Sequence, residues 1–337
     1  MPAPVTAIVV FHEGLDELQK SLASLERQAR PPAEILVVDN HADGLAEGAI
    51  ERWGVNARVL RPGSNLGFGR ACNMAAREAG QPWLFFLNPD AEAAPDCLDR
   101  LLEAADERTA IVGAQVLLPG GDTVNAGDNP VHITGLSWSG RYLEPREHGQ
   151  PREAASVSGA AQLVRAAAFR ELGGHCPAFF LYVEDTDISW RAWLAGWRVV
   201  FAPEAVVVHD YEFDKGPHKW QYLEHNRLWM ILSNYAPATL LLLAPLLLAA
   251  ELGIGVQARR DGWWPEKVRA WRGAAREWRQ IMGWRRQVQR GRRVGDGELV
   301  ARMSGRMETP LMNSPLLARA NPWMERYRRL VVRALGG

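Results

Sequence analysis

The sequence predicts an α/β fold with a mostly parallel central sheet, followed by a helical C-terminal region. Short apolar runs at Val5–Phe11, Ile35–Val38 and Trp83–Leu87 alternate with amphipathic stretches of helical period. Such alternation is typical of doubly wound sheets whose strands are buried on both faces. A length of 337 residues with 47% hydrophobic content is enough for a sizeable core and for about two domains.

The remaining elements follow from hydrophobic period and from turn residues. Further strands are predicted at Arg58–Arg61, Ala110–Leu118, Ser156–Arg165, Trp197–Phe201 and Val206–His209. Helices are predicted at Leu15–Gln28, Ala46–Trp53, Ala71–Ala79, Pro95–Asp106, Ala166–Leu172 and Asp187–Ala195. Residues 119–155 are rich in Gly, Pro and His, so we expect an irregular excursion there.

Charge is distributed unevenly along the chain, although the formal net charge is zero. Residues 1–255 carry 20 Lys and Arg against 32 Asp and Glu, whereas residues 256–337 carry 19 against 7. The body therefore has a net charge of −12 and the tail a net charge of +12. A basic, Trp-rich tail on an acidic body indicates an anionic partner, either nucleic acid or lipid headgroups.

The cysteines and the N-terminus are typical of a cytoplasmic protein. Cys72, Cys97 and Cys176 are widely spaced and form no Cys-x-x-Cys pair. They predict neither a disulfide framework nor a zinc site, and they fit a reducing compartment. The N-terminus runs directly into Val5–Phe11 without a basic and apolar leader, so we expect no secretory signal.

A buried strand ends abruptly at a cluster of side-chain oxygens in the segment Phe85–Glu92. Open α/β sheets bind ligands beyond the carboxyl ends of their strands, so the two acids of this segment, Asp90 and Glu92, are expected beside a ligand. Pro89 stiffens this turn. Stiffly held carboxylates suit a hard divalent cation that keeps positions free for phosphate oxygens. The alternative is a polar turn whose acids favour the start of the next helix.

A second acid cluster, Glu184–Asp187, opens a predicted helix directly after several aromatic residues. Asp185 would then lie at the edge of a semi-apolar pocket, where a carboxylate can act as a general base. The alternative is that these acids only stabilise the positive end of the helix dipole. His209, which ends an apolar strand, is either a metal ligand or a hydrogen-bonded strand-end residue.

The glycine-containing segment Asn65–Asn73 was compared with a dinucleotide-binding loop. The Gly-x-Gly-x-x-Gly pattern fails at its third glycine, where Cys72 stands, and the segment does not follow the first strand. A dehydrogenase is therefore disfavoured. Gly67 is expected to let the loop approach a ligand closely, and a tight turn packed on the sheet is the alternative. The polar residues expected to face the ligand are Asn65, Arg70 and Asn73.

Together these segments resemble the family-2 glycosyltransferases of the GT-A fold, particularly the bacterial rhamnosyltransferase-like branch. The resemblance covers about residues 5–235 and rests on the order and spacing of its motifs. The motifs are Val37-Val38-Asp39-Asn40, Asn65-x-Gly67-Phe68-Gly69, Leu87-Asn88-Pro89-Asp90-Ala91, Gly173-Gly174, and Glu184-Asp185-x-Asp187 with Arg191. It implies a GT-A catalytic domain over residues 1–235. The basic, Trp-rich composition of residues 236–337 predicts a membrane-associating helical region there.

The resemblance also implies roles for individual residues. Asp39 looks like the acid that binds the nucleotide base, Asp90 like the metal-binding acid, and Asp185 like the catalytic base. His209 is similar to a histidine that joins the metal shell in some relatives, and Asn88 stands where the metal motif usually has its first acid. The implied donor-binding set is Asp39, Asn65, Gly67, Arg70, Asn88, Asp90 and Arg227, and the acceptor-site candidates are Glu184, Asp187, Trp190 and Arg191.

The activity that the resemblance implies is inverting transfer of a sugar, best matched by rhamnose from dTDP-rhamnose, to a lipid-linked saccharide. The residues agree with it, because a divalent cation, Mg²⁺ or Mn²⁺, would neutralise the leaving diphosphate while a base deprotonates the attacking hydroxyl. Two alternatives stay open. One is a nucleotidyltransferase on a related scaffold, and the other is a non-catalytic glycan-binding or membrane-scaffold protein.

An uncharged segment, Leu228–Ala250, raises the question of a membrane span. The stretch after Pro237 has only about 14 residues, or about 21 Å of helix, against a bilayer core of about 30 Å. We therefore predict an in-plane or re-entrant segment. A single crossing would also place the basic tail opposite the catalytic domain, against the positive-inside tendency.

Five tryptophans interleaved with arginines follow this segment, a pattern typical of a membrane surface. We expect a peripheral protein on the cytoplasmic face of the inner membrane, in contact with the inner leaflet and the lipid-linked acceptor. No nucleic-acid partner is expected, because no recognised binding module accompanies the charge. A helical subdomain packed on the body is the alternative. The tryptophans are Trp263, Trp264, Trp271, Trp278 and Trp284.

Overall fold

A mixed, mostly parallel sheet organises the first 210 residues of the computed structural model, which describes residues 1–210, 216, 218–310 and 314–337. The strands are β1 (Ala3–Phe11), β2 (Pro32–Asp39), β3 (Arg58–Leu60), β4 (Trp83–Leu87), β5 (Ala91–Ala93), β6 (Thr109–Leu117), β7 (Val124–Ala126), β8 (Asp128–Asn129), β9 (Arg152–Glu153), β10 (Ser156–Val157), β11 (Ala161–Arg165) and β12 (Arg198–His209). The body helices are α1 (Leu15–Glu26), α2 (Ala46–Trp53), α3 (Phe68–Glu78), α4 (Cys97–Glu103), α5 (Ala166–Glu171) and α6 (Glu184–Leu194).

The strands of the main sheet lie in the order β3-β2-β1-β4-β11-β6-β12-β5. The first four are parallel to one another, and β12 is parallel to β6. Strand β11 is inserted antiparallel between β4 and β6. The predicted α/β architecture is therefore confirmed. The two segments predicted as separate strands at 197–201 and 206–209 form the single strand β12, whose register shifts between Ala202 and Val206.

Helices cover both faces of the sheet, because alternate strand residues point to opposite sides. In β1, Ile8 belongs to the core on one face and Val9 to the core on the other. The second core receives the leucines of α1, as the predicted helical face requires. The first core extends past residue 235 and includes Leu243, Ile281 and Val331. The C-terminal region thus shares a hydrophobic core with the body.

Six helices make up the chain after residue 217, within the part that the structure describes. They are α7 (His218–Asn234), α8 (Pro237–Arg260), α9 (Trp264–Arg276), α10 (Trp278–Gly291), α11 (Asp296–Arg302) and α12 (Pro315–Ala334). Side chains of Arg285, Gln289 and Arg292 donate to the carbonyls of residues 232–235 at the C-terminal end of α7. These carbonyls lack helical partners and carry the negative end of the helix dipole. Part of the basic charge of the tail is therefore used within the protein.

A buried ion cluster fastens α7, α8 and α9 together. Arg227 of α7 pairs with Glu224 and with Glu251 of α8, and Lys267 of α9 pairs with the same two carboxylates. The indole of Trp271 donates to Glu251 at 2.7 Å. Although burial raises the pKa of Glu251, the two cations and this hydrogen bond lower it to about 2. The carboxylate therefore stays ionised over the physiological range.

The tryptophans of the tail correct the sequence interpretation, because most of them face protein. Trp263 is buried, and Trp264 and Trp271 pack edge to face against each other. The Arg191 guanidinium of the body lies over the Trp284 ring, with its Cζ 5.2 Å from the ring centroid. Among the five, Trp278 is the one that is half exposed. The Trp-Arg pattern of α9 and α10 therefore mainly serves packing within the protein.

Helix α8 differs from the predicted segment in length. It runs for 24 residues, through Pro245 and past Glu251, to Arg260. A helix of this length measures about 36 Å and is apolar enough by composition to cross a membrane. The length argument against a crossing is therefore wrong, and the orientation of α8 depends on what its two faces contact.

We expect Lys267→Met to destabilise the protein by about 3–5 kcal/mol, because it leaves two buried carboxylates sharing one cation. The free energy of unfolding, measured with urea, reports the effect. Arg30→Met is the matched control, since it breaks the exposed pair with Asp99 and should cost less than about 1 kcal/mol. Equal effects of the two substitutions would contradict the role assigned to the buried cluster.

Candidate active site

The register of the parallel strands brings polar residues to one edge of the sheet. Phe11 pairs with Asp39, and Val9 pairs with Leu87. The carboxyl ends of β1, β2 and β4 therefore lie side by side, and Asn88 follows directly at this edge. This is the position at which open α/β sheets bind ligands.

Asp90 and His209 meet at the same edge, although 119 positions separate them in the chain. The short strand β5, which sequence reasoning missed, pairs Ala91 with His209 and so brings the two together. The His209 Nε2 lies 2.9 Å from the Asp90 Oδ1 and 3.5 Å from the Asn88 Nδ2. His209 is only 4% exposed. An imidazole, a carboxylate and an amide form a donor set that fits a divalent cation.

A strained turn places the second acid cluster at the start of α6. Tyr182 and Val183 both have a φ of 70°, which is costly for a side chain other than glycine and most of all for a β-branched one. The Asn226 amide of α7 donates to the carbonyls of Leu181 at 2.9 Å and Tyr182 at 2.8 Å. Helix α7 thereby supports the conformation from which Asp185 is presented.

The turn before β11 connects Asp185 to Asn88. The Gly159 N–H donates to the Asp185 Oδ2 at 2.9 Å. The carbonyl of the next residue, Ala160, accepts from the Asn88 N–H at 2.9 Å. A side chain at position 159 would lie 3.2 Å from the Asp185 Cβ, so glycine permits this close approach. The two acid clusters, distant in sequence, thus flank one turn.

Burial sets the ionisation of the acids at the start of α6. Burial and the neighbouring carboxylates of Asp185 and Asp187 raise the pKa of Glu184 to about 8. The Glu184 Oε2 is buried without a hydrogen-bond partner among the described residues. Burial also raises the pKa of Asp185, against three hydrogen bonds from Gly159 and Thr186 that lower it. A neutral Glu184 next to it adds no charge repulsion, and this favours an ionised Asp185.

The glycine-containing loop lies against the protein. The Asn40 amide donates to the Asn65 Oδ1 at 3.0 Å, and the Gly67 N–H donates to the same oxygen at 2.9 Å. A side chain at Gly67, whose φ is 77°, would overlap the Phe180 carbonyl at 2.3 Å. Arg70 is exposed, and its guanidinium donates to the backbone carbonyl of Pro177. We expected Gly67 to let the loop approach a ligand closely. The structure corrects this expectation, because the group that approaches Gly67 closely is Phe180 of the protein itself.

Asn73 and Asp39 are less accessible than the sequence suggested. Asn73 exchanges two hydrogen bonds of 2.8 Å with the backbone of His175 and is used structurally. Asp39 is fully buried, and its Oδ2 accepts from the Ala46 N–H at 2.7 Å, at the start of α2. Its Oδ1 has no hydrogen-bond partner among the described residues. A buried acceptor without a partner is costly, so this oxygen is where a donor group of a ligand would be stabilised.

Three of the four acceptor-site candidates are corrected by their burial. Asp187 and Arg191 form an ion pair of 2.8 Å between side chains that are 0% and 2% exposed. The Asn234 amide donates to the other carboxylate oxygen of Asp187 at 3.0 Å. Trp190 is buried edge to face against Tyr235. The spacing of four residues between acid and arginine predicts this helical pair, and these three residues support α6 from inside the core.

Arg227 is likewise corrected as a donor-binding residue. It is buried, and its guanidinium is occupied by two carboxylates and by the Thr134 carbonyl at 3.0 Å. Neutralising a diphosphate would require this cluster to open. Sequence reasoning missed Asn40 and Gly159, whose roles depend on long-range contacts that no local pattern encodes.

Known proteins are similar to this chain in sequence. The model of glycosyl transferase family 2 matches residues 6–173. The N-acetylglucosaminyl-diphospho-decaprenol L-rhamnosyltransferase of Mycobacterium tuberculosis is 31% identical over 260 residues, which are 68% of this chain and 84% of the relative. The O-antigen biosynthesis protein RfbC of Myxococcus xanthus is 28% identical over 247 residues, which are 69% of this chain and 19% of that protein.

Solved structures share the fold. GalNAc-T7, crystallised with UDP, GalNAc and Mn²⁺, is similar with a TM-score of 0.57 and 20% identity over 70% of this chain and 48% of its own. S. aureus TarS 1-349 in complex with UDP is similar with a TM-score of 0.52 and 17% identity over 99% of this chain and 91% of its own. These similarities identify the GT-A fold.

Glu184→Gln should raise the melting temperature at pH 8 and leave it unchanged near pH 4. Burial raises the folded-state pKa of Glu184 to about 8, whereas the ordinary pKa of a glutamate is 4.5. The wild type therefore has its full stability below the pKa that Glu184 has in the unfolded state. It loses stability as the pH rises toward the pKa that Glu184 has in the folded state. The amide cannot ionise and escapes this loss, so a gain of roughly a few degrees is expected.

Thermal unfolding of the wild type and the variant between pH 4 and pH 9 measures this effect. Glu51→Gln, on the exposed face of α2, is the control that should show no pH-dependent difference. A Glu184→Gln protein that melts below the wild type at pH 8 would show that Glu184 is ionised in the folded state.

Proposed function

Because this chain belongs to glycosyl transferase family 2, we propose that it transfers rhamnose from dTDP-rhamnose to an N-acetylglucosaminyl-diphospho-polyprenol with inversion at the anomeric carbon. The observation that carries the proposal is the turn at residues 159–160, which joins Asp185 to Asn88 beside the Asp90–His209 pair. The sugar and the acceptor follow the name of the Mycobacterium tuberculosis relative, which this chain matches over 84% of that protein's length. The dTDP carrier follows from the resemblance to the rhamnosyltransferase-like branch.

Asp185 is proposed as the general base. Its two oxygens are held by the Gly159 N–H at 2.9 Å and the Thr186 N–H at 2.6 Å, so its orientation is fixed before the substrate arrives. Burial raises its pKa, which makes the carboxylate a stronger proton acceptor for the attacking hydroxyl. The hydroxyl oxygen forms the new bond to the anomeric carbon as the bond to the diphosphate breaks. Attack opposite the leaving group inverts that carbon without a covalent intermediate.

Asp90 and His209 are proposed to hold a divalent cation, with Asn88 beside them. When bound, the cation would stabilise negative charge on the departing diphosphate. Among the described residues no three His, Cys, Asp or Glu side chains cluster as a complete ligand set. Two side chains leave coordination positions for phosphate oxygens and water, as expected of a site that shares its metal with a nucleotide. The Mn²⁺ in the GalNAc-T7 structure supports this assignment.

The lipid-linked acceptor places the protein at the surface of the membrane that carries it, which we propose is the cytoplasmic face of the inner membrane. A nucleotidyltransferase would instead release diphosphate from a nucleoside triphosphate. A non-catalytic glycan-binding protein would release no nucleotide at all. Two incubations separate the three possibilities. With dTDP-rhamnose and acceptor, only the proposed reaction releases dTDP. With a nucleoside triphosphate and a sugar phosphate, only a nucleotidyltransferase releases diphosphate.

Asp185→Asn should reduce rhamnosyl transfer by about 10²–10⁴-fold, because the amide keeps the side-chain shape and cannot accept the proton. Affinity for dTDP-rhamnose, measured by calorimetry, should remain near that of the wild type. Asp187→Asn is the informative comparison. This substitution breaks a buried ion pair, so its main effect should be a lower melting temperature. Turnover by the protein that stays folded should fall little. Wild-type turnover by the Asp185→Asn protein would exclude the assigned base.

Asp90→Ala and His209→Ala should each weaken Mn²⁺ binding, observed by electron paramagnetic resonance in the presence of dTDP. The two variants should also lose the part of the nucleotide affinity that depends on the cation. Asp96→Ala, which removes an exposed acid at the start of α4, should behave like the wild type. Full transfer by the wild type in excess chelator would contradict the cation site.

A further inference from the structure

Helix α8 exposes one continuous apolar face. Leu241, Leu248 and Leu252 are 78%, 66% and 73% exposed, and Val256 extends the same face. These residues recur at helical spacing, so they lie on one side of the helix. The exposed positions from 237 to 256 contain no charged residue. In the most apolar stretch of α8, only 22% is buried inside the protein, and the rest is at least partly exposed.

The opposite face of α8 is attached to the body along its length. Leu243 and Leu246 belong to the body core, and Glu251 joins the buried ion cluster. Further along, Gly255 lies against Trp264, 3.4 Å from the position of a Cβ. To cross a bilayer, α8 would have to give up these contacts and carry Glu251 into the hydrocarbon, where a charged side chain is costly. These contacts therefore hold α8 parallel to the surface of the protein.

Helix α12 exposes apolar and basic residues in alternation along one face. Leu316, Trp323 and Leu330 recur every seven residues, and all three are more than half exposed. Between them stand the exposed arginines Arg319, Arg326 and Arg333. Leucine and tryptophan interspersed with arginine on one face are typical of helices that lie at a membrane surface.

The two faces adjoin each other. The Tyr327 hydroxyl of α12 donates to the Leu242 carbonyl of α8. The Trp323 ring stacks on Tyr327, with centroids 5.4 Å apart. The exposed tryptophan of α12 therefore lies close to the exposed leucines at the start of α8. We call this combined area the α8–α12 surface.

We propose that the α8–α12 surface docks the protein onto one leaflet of an anionic bilayer, with α8 lying in the plane of the membrane. The leucines and Trp323 would enter the boundary between headgroups and acyl chains, and the arginines of α12 would contact headgroup phosphates. This inference names the lipid surface for the proposed lipid-linked acceptor, but binding to vesicles requires neither substrate, so the two can fail separately.

Charge favours lipid over a second copy of the chain. Arg319, Arg326 and Arg333 form no salt bridge with any acid of the described residues, which are 1–210, 216, 218–310 and 314–337. A symmetric dimer places the same patch on both sides of its interface. Arginines without acidic partners would then face their own copies and repel, whereas anionic headgroups supply the missing negative charge.

Flotation with vesicles of phosphatidylglycerol and phosphatidylcholine tests the surface in the full-length protein. Leu248→Gln with Leu252→Gln should weaken vesicle binding by at least about tenfold, and Leu45→Gln is the matched exposed leucine outside the surface. Arg319→Ala, Arg326→Ala and Arg333→Ala together should weaken it by roughly fivefold per arginine at low salt. The control for charge removes three exposed arginines of the body, Arg52, Arg77 and Arg170.

Transfer to a water-soluble acceptor analogue and the melting temperature should be unchanged in both surface variants. Loss of vesicle binding in the control variants to the same extent would overturn the proposal. So would sedimentation of the wild type as a dimer that the leucine substitutions dissociate, because the surface would then bind a second copy.

The depth of α8 in the bilayer separates docking from crossing. Single cysteines replace Ala238, Leu248 or Val256 and carry a fluorophore, while the three native cysteines are buried and react poorly. An in-plane helix predicts equal, shallow quenching depths for all three labels. A crossing helix predicts a label at position 248 near the bilayer centre with shallow ends, and that outcome would overturn the proposal.

Discussion

The site depends on the backbone of two consecutive residues in the turn before β11. The Gly159 N–H holds Asp185, and the Ala160 carbonyl holds the backbone of Asn88. This arrangement is possible because β11 runs antiparallel between β4 and β6 and begins where β4 ends. A fully parallel sheet would start its next strand at the opposite edge. The antiparallel insertion is thus what brings the start of α6 to the end of β4.

The C-terminal helices contribute to the same site from behind. Asn226 of α7 supports the strained turn before α6, and Asn234 bonds Asp187 inside it. Helix α7 is in turn held by the ion cluster with α8 and α9 and by arginine and glutamine side chains at its C-terminal end. A polar cluster of this kind stabilises little in net terms, yet it tolerates few alternative arrangements because each unpaired charge would be costly. The tail is therefore coupled to the position of Asp185, the proposed base.

The strands and the polar residues at their ends could be predicted from the sequence, because strand ends in an α/β sheet converge on one edge. Asp90, His209 and Asp185 were predicted as site residues on this basis, and the structure brings Asp90 and His209 to within 2.9 Å of each other. Arg227 and Asp187 were misassigned, since a charge in a helix pattern does not reveal what packs over it. Their pairs with Glu224 and Arg191 follow helical spacing. Only the tertiary contacts show that these pairs are buried. Asn40 acts through its side-chain amide and Gly159 through its backbone N–H, and both contacts are long-range and leave no local pattern.

The arginines of the tail fall into two groups with different surroundings, which the composition alone does not distinguish. Some tail arginines, such as Arg285 and Arg292, satisfy helix carbonyls inside the protein. Others, such as Arg319 and Arg326, stand exposed beside leucine and tryptophan on α12. Screening by salt weakens only the second group appreciably, because buried hydrogen bonds are shielded from counter-ions. Raising the ionic strength would therefore loosen membrane contact while the fold and its active site remain intact. The same basic composition thus supports a permanent internal role and a reversible external one.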